Sequence, residues 1–223
     1  MIRAIVLVLL TTISATGQDS TLVREYCNKL GQLSETTDID SLVSGIDEMT
    51  VKYFERNPIT GDNPLQDVIR FQYRLMRELK RSCPNYTSDR VRLIPKPVFD
   101  LENKLTKQQI DSLGTLTAQI RQDKKVHLYV VTVDDFYPDT TITDFANRYR
   151  EFWAPRTNLE KGVVLVVFST TQRQVRISTG DISMTYLTDE ECSEVNKVMI
   201  PHFRNNKYFD GLINGLVAIK SRL

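Results

Sequence analysis

Val163-Val164-Leu165-Val166-Val167-Phe168-Ser169-Thr170-Thr171-Gln172-Arg173-Gln174-Val175-Arg176-Ile177-Ser178-Thr179 decides the fold of this chain. The run from Val163 to Phe168 is unbroken, apolar and mostly β-branched. A run of that kind fits a strand buried on both faces, because a half-exposed strand alternates apolar with polar residues. After the short polar turn Thr171-Gln172-Arg173, the segment from Gln174 to Thr179 predicts a second strand paired with the first as a hairpin. A strand covered on both faces needs helices above and below it, so the flanking sequence should be helical.

It is helical on both sides. Upstream, Phe145, Tyr149 and Phe152 recur at helical spacing between Ile142 and Trp153, and a further strand is predicted from His127 to Val133. Before that strand, Thr106 and Gln109 form a capping box of the T-x-x-Q type, opening a helix with Ile110, Leu113, Leu116 and Ile120 on one face. Downstream, Thr188 and Glu191 form a second capping box, for a helix through Met199. A last helix from Lys207 carries Tyr208, Phe209, Leu212, Ile213, Leu216 and Ile219. Helices alternating with apolar strands predict a layered α/β domain with its sheet covered on both faces.

Further toward the N-terminus the pattern changes. Residues 91–97 read as a linker, because each proline of Ile94-Pro95-Lys96-Pro97 disfavours helix in the residue before it. Residues 18–90 read as a small all-α module. Leu42, Val43, Ile46, Met49 and Tyr53 make one helical stripe, and Leu65, Val68, Ile69, Leu75, Met76 and Leu79 make another, opened by Asn63 and Pro64. A shorter helix from about Thr21 to Leu33 would let Cys27 approach Cys83, and a disulfide between them is expected, against the alternative of two free buried thiols. Closing that loop would stabilise the fold by roughly 4 kcal/mol in the chain-entropy model. Cys192 is left unpaired, and no cysteine spacing suits zinc or a redox pair.

Residues 1–17 have the marks of a secretory signal peptide: Arg3, the apolar run Ala4 to Leu10, and small residues at Ala15 and Gly17, with the mature chain starting at Gln18. The alternative of a retained anchor is disfavoured, since the apolar run falls far short of the ~20 residues that span a bilayer. The expectation is an exported protein, periplasmic or secreted, with no stable membrane insertion after signal cleavage. Across the 223 residues, 29 Lys+Arg stand against 28 Asp+Glu, and losing Arg3 balances the mature chain. Such a balance leaves no overall electrostatic footprint for nucleic acid.

Several strings from Val98 onward resemble the TPM domain family, also called the TPM phosphatase family. Val98-Phe99-Asp100 is similar to its V-x-D opening, and Val130-Val131-Thr132-Val133 to its second strand. Phe152-Trp153 is similar to the end of its helix, and Gly162-Val163-Val164-Leu165 to the entry of its central strand. Arg173-Gln174-Val175-Arg176-Ile177-Ser178-Thr179-Gly180 resembles R-x-V-R-I-x-T-G, and Leu187-Thr188-Asp189 resembles L-T-D. Ile200-Pro201-His202-Phe203 and Tyr208-Phe209-Asp210-Gly211-Leu212 are similar to its closing motifs. The resemblance covers residues 98–223 and implies a Rossmann-like α/β/α sandwich, found mostly in exported or lumenal proteins. Some members are acid phosphatases, some bind calcium, and others look like accessory or scaffolding proteins. The chain departs from the family at Asp181-Ile182-Ser183-Met184-Thr185, where the usual x-G-L-E-G turn has lost its second glycine and its glutamate.

Two chemistries remain open. Asp134, Asp135, Asp181 and Asp189 follow strands or open a helix, and open α/β sheets bind ligands at strand carboxyl ends. If their loops converged they would suit a hard cation, calcium or magnesium, whereas apart they are solvated acids. Arg173 and Arg176 would hold a phosphate in a hydrolase, or else protect an exposed hairpin. With only two histidines, and with no P-loop or nucleophile elbow, no catalytic residue is assigned. The favoured expectation is a cell-envelope binding or accessory module with an envelope protein partner, able to bind a cation. The alternative is a metal-dependent phosphomonoester hydrolase.

Overall fold

The computed structural model describes residues 16–30, 39–60, 62–83, 96–153 and 162–223. The predicted leader up to residue 15, and the predicted linker up to residue 95, lie outside them. Seven α-helices, four strands and a short 3-10 helix at Ser183–Thr185 make up the described elements. Helices α1 (Thr16–Leu30), α2 (Ile39–Arg56) and α3 (Pro64–Ser82) come first. They are followed by β1 (Val98–Asp100), α4 (Lys107–Lys124), β2 (His127–Thr132), α5 (Ile142–Trp153), β3 (Val163–Ser169), β4 (Gln174–Thr179), α6 (Asp189–Arg204) and α7 (Tyr208–Arg222).

The sheet has the order β1-β2-β3-β4. β1, β2 and β3 run parallel, while β4 returns antiparallel along β3, with Val164 opposite Thr179 and Ser169 opposite Gln174. Every residue of β3 is buried, as its continuous apolar run requires of a central strand. Alternation sorts the side chains into two cores. Leu128, Val130, Val164, Val166 and Phe168 meet Leu113 and Ile120 of α4, Val195 and Met199 of α6, and Leu212 and Leu216 of α7. Tyr129, Val131, Val163, Leu165 and Val167 face the other way, against Phe145, Ala146 and Tyr149 of α5. The expected three-layer sandwich is present.

Both predicted capping boxes form: the hydroxyls of Thr106 and Thr188 accept from the backbone N–H of Gln109 and Glu191, and each of those side chains accepts from its own cap residue. α6 continues past Met199, through Pro201, to Arg204. α7 packs tightly on it. A Cβ on Gly215 would lie 2.5 Å from Met199, and one on Gly211 2.5 Å from the Phe203 ring, so only glycine allows this approach. β1, not predicted as a strand from the sequence, joins the sheet by pairing with Val130, Val131 and Thr132.

The all-α segment is not detached from the sandwich. α3 is amphipathic twice over. Phe71, Leu75 and Leu79 pack with Leu22, Val23 and Tyr26 of α1 and Met49 of α2, while Ile69 and Tyr73 enter the sheet core beside Phe99, Tyr129 and Phe145. α3 therefore completes the second helical layer that α5 begins. The disulfide Cys27–Cys83 is formed, with Cα atoms 5.4 Å apart, and it joins the end of α3 to α1.

Candidate functional site

The carboxyl ends of β1, β2 and β3 lie together, because the three strands are parallel, and the loops leaving them gather acidic side chains. Asp100 closes β1 and is fully buried. Its carboxylate accepts hydrogen bonds from the N–H of Lys104 (3.0 Å) and of Leu105 (2.9 Å) and from the Thr132 hydroxyl (2.7 Å). Those donors offset the cost of burying its charge. Glu102, two residues on, reaches across to the β3–β4 turn, where both Thr170 and Thr171 donate to it from backbone N–H and hydroxyl at 2.9–3.1 Å. Both carboxylates are structural ties among the three loops.

Asp134 and Asp135 follow β2, and α3 meets them. Arg77 donates to Asp134 through both terminal nitrogens, at 2.7 and 3.2 Å, and also lies 3.3 Å from Asp135. Arg81 donates to Asp135 at 3.0 Å and sits 4.7 Å above the Tyr137 ring. Burial opposes the charged form of Arg77, but hydrogen bonding and attraction from Asp134 outweigh it and raise its pKa above the ordinary guanidinium value. In Asp134 burial acts to raise the carboxyl pKa, and Arg77 outweighs it and holds that pKa below the usual range. Further along α3, Arg70 donates to the Asp100 carbonyl at 2.7 Å and Gln66 to the Val98 carbonyl at 3.1 Å. Asp139, on the same loop as Asp134, is gripped by Arg148 of α5 at 2.6–3.1 Å.

The structure thus brings Asp134 and Asp135 together and separates them from the other two predicted ligands. Because β4 is antiparallel, Asp181 leaves the sheet at the amino ends of β2 and β3, beside Gly162 and Val163. At ~3.3 Å per residue, the length of the sheet puts it roughly 20 Å from Asp134, and one cation with ligands at ~2.3–2.6 Å cannot take both. Asp189 is exposed at the start of α6, with its nearest cation, Arg176, at 3.9 Å. Among the described residues no three His, Cys, Asp or Glu side chains are grouped to hold a metal ion. Arg173 sits in the β3–β4 turn with φ 54°, three residues from Arg176, which lies within β4.

Arg77 and Arg81 were missed in the sequence, although their signal is there. Gln66, Arg70, Arg77 and Arg81 fall on one side of a helix, separated from the apolar stripe of Phe71, Leu75 and Leu79. Cys192 is buried, and burial, followed by the charge of Asp189, pushes its thiol up to about 11, as expected of an inert cysteine.

The family model of the TPM domain, TPM phosphatase, matches residues 98–222. No curated protein matches the chain. The NMR structure of the N-terminal domain of a protein from P. gingivalis is 31% identical, with a TM-score of 0.51, over 57% of this chain and 82% of that one. The NMR structure of the N-terminal domain of the cg2496 protein from Corynebacterium glutamicum is 11% identical, with a TM-score of 0.48, over 60% of this chain and 84% of that one.

Proposed function

The chain belongs to the TPM domain family through residues 98–222, and from that premise we propose that it is an exported binding or accessory module of the cell envelope rather than a phosphatase. One observation carries the reading. At the carboxyl end of the sheet, where an α/β fold offers its crevice, Asp134 and Asp135 are engaged by Arg77 and Arg81 of α3. A cation entering there would have to displace two guanidinium groups, one of them only 10% exposed. Asp100 and Glu102 are likewise bound to the chain's own donors. The loops at this end have been turned into a seam between α3 and the sandwich, and recognition falls to the outer surfaces.

Export is supported by the leader pattern and by the Cys27–Cys83 disulfide, which persists in oxidising compartments. Among the described residues no helix is long and apolar enough to cross a membrane. The test combines catalysis, cation binding and capture. The purified protein should leave para-nitrophenyl phosphate intact with calcium or magnesium present, and its melting midpoint should be the same in EDTA as in millimolar calcium. Cross-linking in intact cells should enrich one envelope protein. Turnover that Asp134→Asn abolishes would restore the hydrolase reading.

A further inference from the structure

We propose that the cavity on the outer flank of β1, between the first turns of α3 and α4, binds a small zwitterion, an α-amino acid or a dipeptide whose ammonium and carboxylate are both free. The place differs from the seam of Arg77 and Asp134, since Arg77 lies seven residues beyond Arg70 on α3, roughly 10 Å along its axis. Its test does not depend on the protein being non-catalytic.

β1 is an edge strand, and α3 runs along its free side. The cavity left between them and the start of α4 has a volume of about 410 Å³. Asp62 and Asn63, in the turn before α3, line one side, Asn103 and Lys104 of the β1–α4 loop line another, and Leu105 and Ile110 add apolar surface. Both sides are held from behind. Arg70 donates to the Asp100 carbonyl at 2.7 Å and to Asp67 at 2.8 Å, which ties α3 to the end of β1. The buried Asp100 carboxylate accepts from the N–H groups of Lys104 and Leu105, and Asn103 just before them takes a left-handed φ of 56°. The loop is therefore set in place, with Leu105 buried and the side chains of Asn103 and Lys104 exposed.

Most polar groups around the cavity already have partners. Asp67 pairs with Arg70, Lys107 with Asp111 at 2.8 Å, and Thr106 is taken up by its capping box. Two charges of opposite sign are left over. Among the described residues Asp62 and Lys104 form no ion pair, with each other or with any other group, although they line the same cavity. Two amides are left over with them. Asn63 stands at the N-cap of α3, where asparagine ordinarily accepts from the first turn, yet its side chain makes no capping bond. The side chain of Asn103 likewise has no hydrogen bond among the described residues.

An acid and a base that line one cavity without meeting are complementary to a ligand that carries both charges itself. Its ammonium would go to Asp62 and its carboxylate to Lys104, with the amides of Asn63 and Asn103 on the remaining donors and acceptors and an apolar side chain against Leu105 and Ile110. A simple anion would satisfy Lys104 and leave Asp62 as a like-charged neighbour. A hard cation would find one uncommitted carboxylate, too few for its usual oxygen shell. The volume is at the small end of ligand sites, which suits an amino acid or a dipeptide.

The experiment is titration of the purified protein with leucine and, separately, with leucyl-leucine, followed by amide NMR spectra. At least one of the two should move the resonances of Asn63, Lys104 and Leu105 to saturation, and the tighter binder tells the amino acid from the peptide. The N-acetyl form of that ligand, which lacks the ammonium, and its amide, which lacks the carboxylate, should each bind roughly 10-fold more weakly, the loss of one charge-assisted hydrogen bond. Asp62→Asn should remove the penalty for acetylation and Lys104→Gln the penalty for amidation, each leaving the melting midpoint in place. No saturable shift with either ligand, blocked forms that bind as tightly as the free one, or wild-type behaviour of either variant would overturn the proposal. Saturation by inorganic phosphate, with none by leucine or leucyl-leucine, would overturn it in favour of an anion site.

Discussion

The two ends of one sheet have been finished in opposite ways. At the carboxyl end of the parallel strands, Asp100, Glu102, Asp134, Asp135 and Asp139 are all engaged by donors from α3, α5 or neighbouring loops. At the amino end, Arg121, Lys124 and Lys125 form no ion pair among the described residues, and Asp181 is exposed. A closed network of matched charges locks one layer of a fold to another. An unmatched surface charge contributes little to folding.

The largest effect should come from releasing α3. Replacing Cys27 and Cys83 together by serine removes the link that holds the end of α3 to α1, and denaturant titration should show a loss approaching about 4 kcal/mol. A loss near zero would mean that the α1–α3 core holds the helix unaided.

Next in size is the seam itself. Arg77→Met should destabilise the protein by roughly 1 kcal/mol, the scale of a pair whose carboxylate partner is 46% exposed and screened by water. A double-mutant cycle with Asp134→Asn should recover most of that as coupling. Additive losses would show that the two side chains act independently.

The pair should also make stability depend on pH. Asp134 has a folded pKa below its unfolded value of about 3.9, so its contribution is complete above that value and fades as pH falls through the lower folded one. Acid titration of wild type and Arg77→Met should therefore converge at low pH, and curves that stay parallel throughout would remove the pair as the cause. The smallest effect belongs to the other end. Lys124→Gln with Lys125→Gln should change stability by less than about 0.5 kcal/mol, as surface substitutions without partners do. A larger loss would mean that these cations serve the fold, and the contrast between the ends would weaken.

Much of the fold was legible because its signals are local. The apolar run of β3, the capping boxes at Thr106 and Thr188 and the stripe of α7 each report a periodicity or a hydrogen bond within a few residues. The site was read less well. Asp134 and Asp181 each follow a strand, yet the hairpin turn Thr171-Gln172-Arg173 already reverses the strand before Asp181, a consequence the metal-site reading did not carry through.

The sequence by itself determined the helices, three of the four strands and the cysteines suited to a bridge, since backbone propensity, side-chain period and capping act over short spans. Tertiary structure alone decided that α3 belongs to the sandwich and that Arg77 meets Asp134 across 57 residues of chain. The reason is physical. Which face a helix covers, and which charges it then brings together, follows from strand order and direction, and these are set by how the whole chain buries its apolar surface.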